Sequence, residues 1–308
     1  MMRLGRYIYY KKLFPEVSDF LNMGLGIEAR AKRLNRYWSK HLELTKKFQR
    51  EHMGFQRRDH SVAVLGAGRL LDVDLEFLGQ HCSNIDLYDA DPSVLPFWKR
   101  LARKYPKVAF GFYSIDLTGT LAEWTGALRG ALATGVGAQR LLEMINGLRA
   151  HPNTALPAMY DYIVSTNILS QIPIYWFDRV AAIIRNSPLS DYEKDLSFKE
   201  ELQEGLHNCA AELQQHHLAL LAHSQAHQVV IISDVEFYYY LAEKSEWQVE
   251  NALYVSKLNL PGYTILTMQS WLWHIAPQMV EQRSHGEIHK VVALALAREE
   301  LLSSGFPS

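Results

Sequence analysis

An apolar run that stops at Gly66-Ala67-Gly68, followed by a second that stops at Asp89, leaves few folds open to this chain. Ser61–Leu65 has the uncharged, β-branched character of a strand buried on both faces. Glycines directly after such a strand let the backbone turn sharply and pass close to a ligand. Ile85–Tyr88 reads as a second strand with Asp89 at its tip, 21 positions after Gly68. An α/β fold builds a nucleoside pocket in this way, at the carboxyl ends of its first two strands, where the acid accepts both hydrogens of a ribose diol. A dinucleotide fingerprint also needs a third glycine where the next helix packs on the strand. Leu71 occupies that position, so a nucleoside without a pyrophosphate fits better. The competing reading of the same letters is a tight turn and a solvated strand-end aspartate.

The rest of the chain alternates between the two periodicities. Residues 1 to about 58 look helical, in two or three pieces broken by Pro15, Gly24, Gly26 and Gly54, with Tyr37, Trp38, Leu42, Leu44 and Phe48 at helical spacing. These helices either cap the pocket or cover a sheet edge. Helices are expected over 72–81 and from Pro92 to about Lys104, and a third strand over 108–113. The segment 119–157 reads as one or two crossover helices broken near Gly135–Gly137, with Pro152 and Pro157 in the loop before strand four at 160–165. Residues 171–227 are mostly helical, strand five covers Gln228–Asp234, and two more strands lie near Thr264–His274 and Ile288–Ala297. The last pair is antiparallel, because a parallel crossover needs a longer connection. The expected fold is a doubly wound, Rossmann-like α/β sheet of about seven strands, mainly parallel with one reversed. An N-terminal helical cap, 1–58, precedes a main domain, 59–308, with helical insertions at about 117–159 and 171–227.

The 308 residues, 48% apolar and 21% charged, describe an ordinary globular chain with a large core. A net charge of -1 sets up no global field for nucleic acid or acidic membranes. The basic run Arg30, Lys32, Arg33, Arg36, Lys40, Lys46, Lys47, Arg50, Arg57 and Arg58 reads as a solvated helix face. Arg3 and Arg6 are followed by no apolar stretch of the signal-peptide kind, and no apolar run approaches ~20 residues. Cys82 and Cys209 form neither a metal motif nor a disulfide pattern, which suits a reducing cytoplasm. Among the thirteen histidines, His223 and His227 have i,i+4 spacing, with His227 at the helix end; there is no His-Glu-x-x-His motif, and no metal is expected.

Val64-Leu-Gly-Ala-Gly68 resembles the glycine-rich first motif of the class I S-adenosylmethionine-dependent methyltransferases, and Tyr88-Asp-Ala-Asp-Pro92 resembles their second-strand motif. The resemblance spans roughly 59–300. It implies S-adenosylmethionine as cofactor, with S-adenosylhomocysteine as product, and a seven-stranded sheet closed by an antiparallel pair. It implies that Gly66, Ala67 and Gly68 underlie the cofactor and that Asp89 and Ala90 meet the ribose. Asp116 and Leu117 would flank the adenine, and Thr166 and Asn167 would face the methionine end. The chain departs from the family in the first motif, where Leu70 stands for a glycine and Arg69 follows Gly68. Arg69 pairs with either the cofactor carboxylate or a local aspartate.

Methyl transfer from a sulfonium asks a protein mainly for binding and orientation, so the absence of a triad does not count against it. The implied activity is in-line methyl transfer to a small-molecule acceptor. Asn167-Ile-Leu-Ser170 is not the loop used on exocyclic base amines, and no Pro-Cys pair offers a nucleophile for a cytosine ring, so nucleic acid is not favoured. Ser170 and Gln171 sit where an acceptor site should open, and His274 and Asp234, near strand ends, are candidates for acid–base help. Phe237–Tyr240 and the pair Trp271 and Trp273 line an acceptor site or simply pack. The rival readings are a non-catalytic cofactor- or partner-binding protein of the same fold and an NAD-dependent oxidoreductase. No catalytic residue, acceptor or oligomeric state is legible.

Overall fold

The computed structural model describes residues 10–300 apart from 22, 55–58, 152–155, 157–158, 192–194, 242–245 and 281–283. Arg3, Arg6, Arg57, Arg58, Pro152 and Pro157, named above, lie outside the described residues. One sheet organises everything else. Its strands are β1 (His60–Leu65), β2 (Cys82–Asp89), β3 (Ala109–Ser114), β4 (Tyr162–Thr166), β5 (Gln228–Leu241), β6 (Glu246–Asn251), β7 (Tyr263–Ala276) and β8 (Gly286–Arg298). The order across the sheet is β3-β2-β1-β4-β5-β8-β7, and β6 adds to the outer half of β5. Strands β1 to β5 are parallel. β8 runs against both β5 and β7, so β7 points the same way as the first five. This is the doubly wound, Rossmann-like sheet that the resemblance implies. Its order reverses between β1 and β4, and a crevice for ligands forms at such a switch point, outside the carboxyl ends of the strands.

The central strands are apolar because both of their faces are covered. Val62, Val64, Ile85, Leu87, Val164, Val230 and Ile232 point to one side, into a core completed by Trp38, Phe48, Leu78 and Trp98. These four come from the helices α2 (Asn35–His52), α3 (Leu75–His81) and α4 (Leu95–Ala102). Ala63, Leu65, Ile163, Val229 and Ile231 point to the other side, against Leu218 and Leu221 of α8 (Leu196–His223). A third cluster joins α5 (Leu121–Ala133), α6 (Ala138–Gly147), α7 (Ile168–Arg185) and α8 through Leu128, Leu141, Ile145, Trp176, Val180 and Leu213. Val17 and Phe20, from a 3-10 turn at Pro15–Phe20, pack into that cluster.

Local chemistry explains the helix ends. Asp74 accepts from the backbone N–H of Phe77 at the start of α3, and Asp195 accepts from Ser197 and Phe198 at the start of α8. Pro173 lies inside α7, where it cannot donate to the Leu169 carbonyl one turn back. Gln214 Nε2 donates to that carbonyl instead, at 2.8 Å, from a fully buried position on α8.

The N-terminal helices bridge two places. α1 (Met23–Arg33) lies ahead of α2, and α2 covers β7 and β8: Trp38 Nε1 donates to the Ile275 carbonyl at 2.9 Å, and Trp271 Nε1 donates to His41 Nδ1 at 3.1 Å. At the other end of α2, Gln49 donates to the Asp72 carbonyl and accepts from the Asp74 N–H.

The structure departs from the sequence expectations at the long strands. Phe237–Tyr240 does not follow strand five; it continues β5 to Leu241, paired with β8 on one side and β6 on the other. β6 is an eighth strand that the sequence reading did not include, and it runs antiparallel like β8. Among the described residues no helix is long and apolar enough to cross a membrane. Cys82 and Cys209 are both free and buried.

Candidate functional site

The first turn after β1 is held from three directions. Gly66 and Gly68 adopt left-handed backbones at φ of 70° and 45°. A methyl group on Gly66 would sit 3.3 Å from both the Thr166 carbonyl and Ile168 Cβ, so the loop passes directly under the end of β4. The Ala67 N–H donates to the Tyr88 carbonyl at 2.9 Å, which ties the turn to β2. From below, the fully buried Trp98 donates its indole N–H to the Gly68 carbonyl at 2.8 Å. Leu70, where the family pattern has glycine, is itself left-handed at φ 53°. The chain keeps the glycine conformation without the glycine, and the strain is held by burial of the leucine.

Asp89 closes the turn. Its Oδ2 accepts the Gly68 N–H at 2.8 Å and its Oδ1 accepts the Asp91 N–H at 2.8 Å. Burial drives its pKa up to about 6, against the pull of those two N–H groups; the neighbouring Asp91 and Asp72 carboxylates push the same way as burial. Asp72 is raised as well, by burial, although its own backbone N–H and the Asn167 and Thr166 side chains favour the charged form. Acids are thus concentrated around the glycine turn. Arg69 is turned away from them: its Nε lies 3.4 Å from Glu28 of α1, and its guanidinium lies over the Phe97 ring at 5.1 Å. The local acid beside Arg69 is thus a glutamate of α1, not an aspartate.

Asn167 stands at the junction of β4 and α7 in a left-handed conformation, φ 58°. Its N–H donates to the Ile232 carbonyl at 2.6 Å and its Nδ2 donates to Asp72 Oδ2 at 2.8 Å. Its Oδ1 is buried and has no hydrogen-bond partner among the described residues. Thr166 is buried beside it, and the buried Ser170 hydroxyl lies 3.1 Å from both the Asn167 carbonyl and Asp234 Oδ2. Gln171 is exposed.

Asp116 has structural work. Its Oδ1 accepts from the N–H and hydroxyl of Thr118, and its Oδ2 accepts from the Leu121 N–H, where it anchors the start of α5. Burial raises its pKa and these bonds oppose the rise. Leu117 is buried against the α8 side of the sheet, and Ala90 packs toward α5–α7.

Gly66–Gly68, Asp89, Thr166 and Asn167 therefore come together at the carboxyl ends of β1, β2 and β4, with Asp72 and Trp98 as members that the sequence reading missed. His274 does not join them. It is exposed, on the face of β7 opposite Trp273. The histidine near Asp234 is His289 of β8, whose Nδ1 lies 3.2 Å from Asp234 Oδ2. The cross-strand pairing of Phe237 with His289 is the signal that finds it, and that pairing follows from the position of β8 in the sheet. Trp271 and Trp273 pack under α2: the Trp273 ring stacks on His41 at 3.9 Å and meets Trp38 edge-on at 5.0 Å.

No family model and no curated protein matches the sequence. Among solved structures, the chain is similar to YcgJ protein from Bacillus subtilis, with a TM-score of 0.41 and 8% identity over 83% of this chain and 98% of that one. It is similar to the Burkholderia thailandensis 1,6-didemethyltoxoflavin-N1-methyltransferase, at 0.37 and 12% over 89% and 88%. It is also similar to the 23S rRNA methyltransferase ErmE, at 0.32 and 7% over 83% and 68%. Likenesses of this order carry no information about cofactor or acceptor.

Proposed function

We propose that this protein binds S-adenosylmethionine and directs its methyl group in line onto a small-molecule acceptor. The observation that carries the reading is the Asp89 carboxylate closing the Gly66–Gly68 turn at the switch point of the sheet. Each Asp89 oxygen accepts one backbone N–H and keeps a lone pair, which suits the two hydroxyls of a ribose. Gly66, Ala67 and Gly68 would lie under the nucleoside, with Ala90 beside the sugar. Asp116 would act through the turn it folds, setting Leu117 against the adenine. At the other end, the unpartnered Asn167 Oδ1 is an acceptor for an ammonium group, and Thr166 lies next to it. The gathered carboxyls of Asp72, Asp89 and Asp91 favour a cationic ligand over an anionic one, which supports a sulfonium over a pyrophosphate.

When bound, the cofactor supplies a methyl group already activated on sulfur. What remains for the chain is to orient the acceptor and exclude water, and fixed geometry of this kind is worth up to ~7–11 kcal/mol. Gln171, exposed in the first turn of α7, would face the acceptor, and the buried Ser170 would act only through its contacts with Asn167 and Asp234. In this reading α1 serves as part of a cap, held beside the first turn by the Glu28–Arg69 contact.

The test is calorimetric titration with S-adenosylmethionine and S-adenosylhomocysteine, with NAD as control. Saturable binding of the first two, lost in Asp89→Ala, is the expected result. Preferential binding of NAD would replace the reading with the oxidoreductase one. Binding without turnover across an acceptor screen would favour a cofactor-binding protein that does no chemistry.

A further inference from the structure

Among the described residues, β3, β6 and β7 are the strands that pair on one side only. β3 and β6 are six residues long, and β6 carries Glu246 and Glu250. Short length and charge are the usual defences of an edge against pairing with another strand. β7 has neither defence. Its fourteen residues contain no Asp, Glu, Lys, Arg or Pro.

The strand is also regular where it is open. Its register with β8 runs unbroken over 267–274, and the two irregularities lie outside that run. Bulges twist an edge away from a partner, so an unbroken run is the part that a second strand can follow. Trp271 and Trp273 point to the α2 face, where they pack on His41. Met268 and Leu272 point to the opposite face and are 67% and 58% exposed. Ser270, between them on that face, is exposed as well. Large apolar side chains standing open along an unpaired edge mark an interaction surface.

We propose that β7 pairs with β7 of a second copy of this chain, antiparallel about a two-fold axis at Ser270, so that the two sheets join into one.

The sequence of the strand favours a copy of itself over a foreign strand. Pairing about Ser270 sets Met268 of each copy opposite Leu272 of the other, and Gln269 opposite Trp271, so apolar groups meet across the seam. No like charges are opposed, because the strand has no Lys, Arg, Asp or Glu to oppose. A net charge of -1 adds little repulsion at long range. Capture of a foreign strand takes its specificity from pockets for alternate side chains. Here Thr264, Ile265, Leu266, Met268, Gln269 and Ser270 are all exposed, on both faces of the strand, and form no such pockets. Pairing over 267–273 in both copies supplies about seven backbone hydrogen bonds, within the range of about 10 ± 5 for a typical interface. The two-fold axis stands perpendicular to the sheet. The carboxyl ends of β1–β5 then point to opposite rims of the joined sheet, and each copy keeps its own crevice, so the pairing does not depend on which cofactor is bound.

The test is sedimentation velocity of the full chain over a concentration series, with hydrogen exchange of the same samples. A seam of this size is at the low end of stable interfaces, so a dimer and nothing larger should form between about 1 and about 100 μM. Amides of 267–274 should gain protection over the same range. Ser270→Lys and Ser270→Glu each place two like charges at the axis and should weaken self-association at least about tenfold. Mixing these two variants should restore a one-to-one dimer, because opposite charges then meet. Met159→Lys adds the same charge at a residue 74% exposed outside the sheet and should leave the dimer as it is. A chain that stays monomeric at about 100 μM, or a dimer indifferent to Ser270, overturns the proposal. So do assemblies that keep growing beyond the dimer, or protection of β7 that does not change with concentration. The exchange result is read on the wild type and decides the matter even if a Ser270 variant fails to fold.

Discussion

Changing Asp89 to asparagine imitates a permanently protonated carboxyl. The wild-type group titrates at about 6, because burial and two neighbouring acids oppose its charge while the Gly68 and Asp91 N–H groups favour it. A ribose diol donates two hydrogen bonds to the charged form. Each is worth about 1 kcal/mol more to a carboxylate than to a neutral acceptor, so the charge contributes about 2 kcal/mol, or roughly 30-fold in affinity. Asp89→Asn should bind S-adenosylhomocysteine about 30-fold more weakly than wild type at about pH 8. In the wild type, affinity should fall about eightfold between about pH 8 and about pH 5, as most of the carboxyl protonates. The variant should show no such fall. Stability has the opposite sign: a carboxyl whose pKa is raised on folding stabilises below the unfolded value of about 4, and that contribution is lost as pH rises through about 6. Calorimetry and thermal unfolding over this range read the two slopes. A flat wild-type binding profile, or an asparagine variant as tight as wild type at high pH, would refute the ribose role.

Gly66→Ala should destabilise the protein by about 1–3 kcal/mol in urea unfolding, because φ is 70° and the new methyl meets Thr166 and Ile168. Trp98→Phe leaves the Gly68 carbonyl without its donor; about 1–3 kcal/mol of stability should be lost, with weaker nucleoside binding as the companion effect by calorimetry. Arg69→Gln removes both the Glu28 contact and the stacking on Phe97, and faster amide exchange in α1 with little change in the global unfolding midpoint is expected from hydrogen-exchange mass spectrometry.

The glycine turn and Asp89 were legible because their roles follow from local chain order: two positive-φ residues after a buried strand, and an acid at the tip of the next. Asp116 shows what such reading leaves out. Its bond to the Leu121 N–H depends on how the intervening turn folds, and no periodicity reports that. His289 is a non-local case. The antiparallel relation of β7 and β8 could be read from their short connection, but not which of them lies against β5. That choice decides which histidine faces Asp234. β6 escaped because Trp247 and Val249 give only two apolar positions, both exposed, in a strand that buries little. Leu70 misled because a β-carbon in a left-handed turn contradicts the usual residue preference, and tertiary burial overrides it.

β8 lies between β5 and β7 although it follows both in the chain. Until it inserts, β7 has no hydrogen-bonding partner in the sheet and the β8 side of β5 is a bare edge. During synthesis the fourteen residues of β7 emerge first and wait, with Leu266, Met268 and Leu272 exposed even in the finished fold. A bare edge and an unpaired apolar strand are the ingredients of misassociation between nascent chains. Sheet completion is thus a late, long-range event, and any substitution that slows the insertion of β8 should cost the cell soluble protein well before it costs a folded molecule any activity.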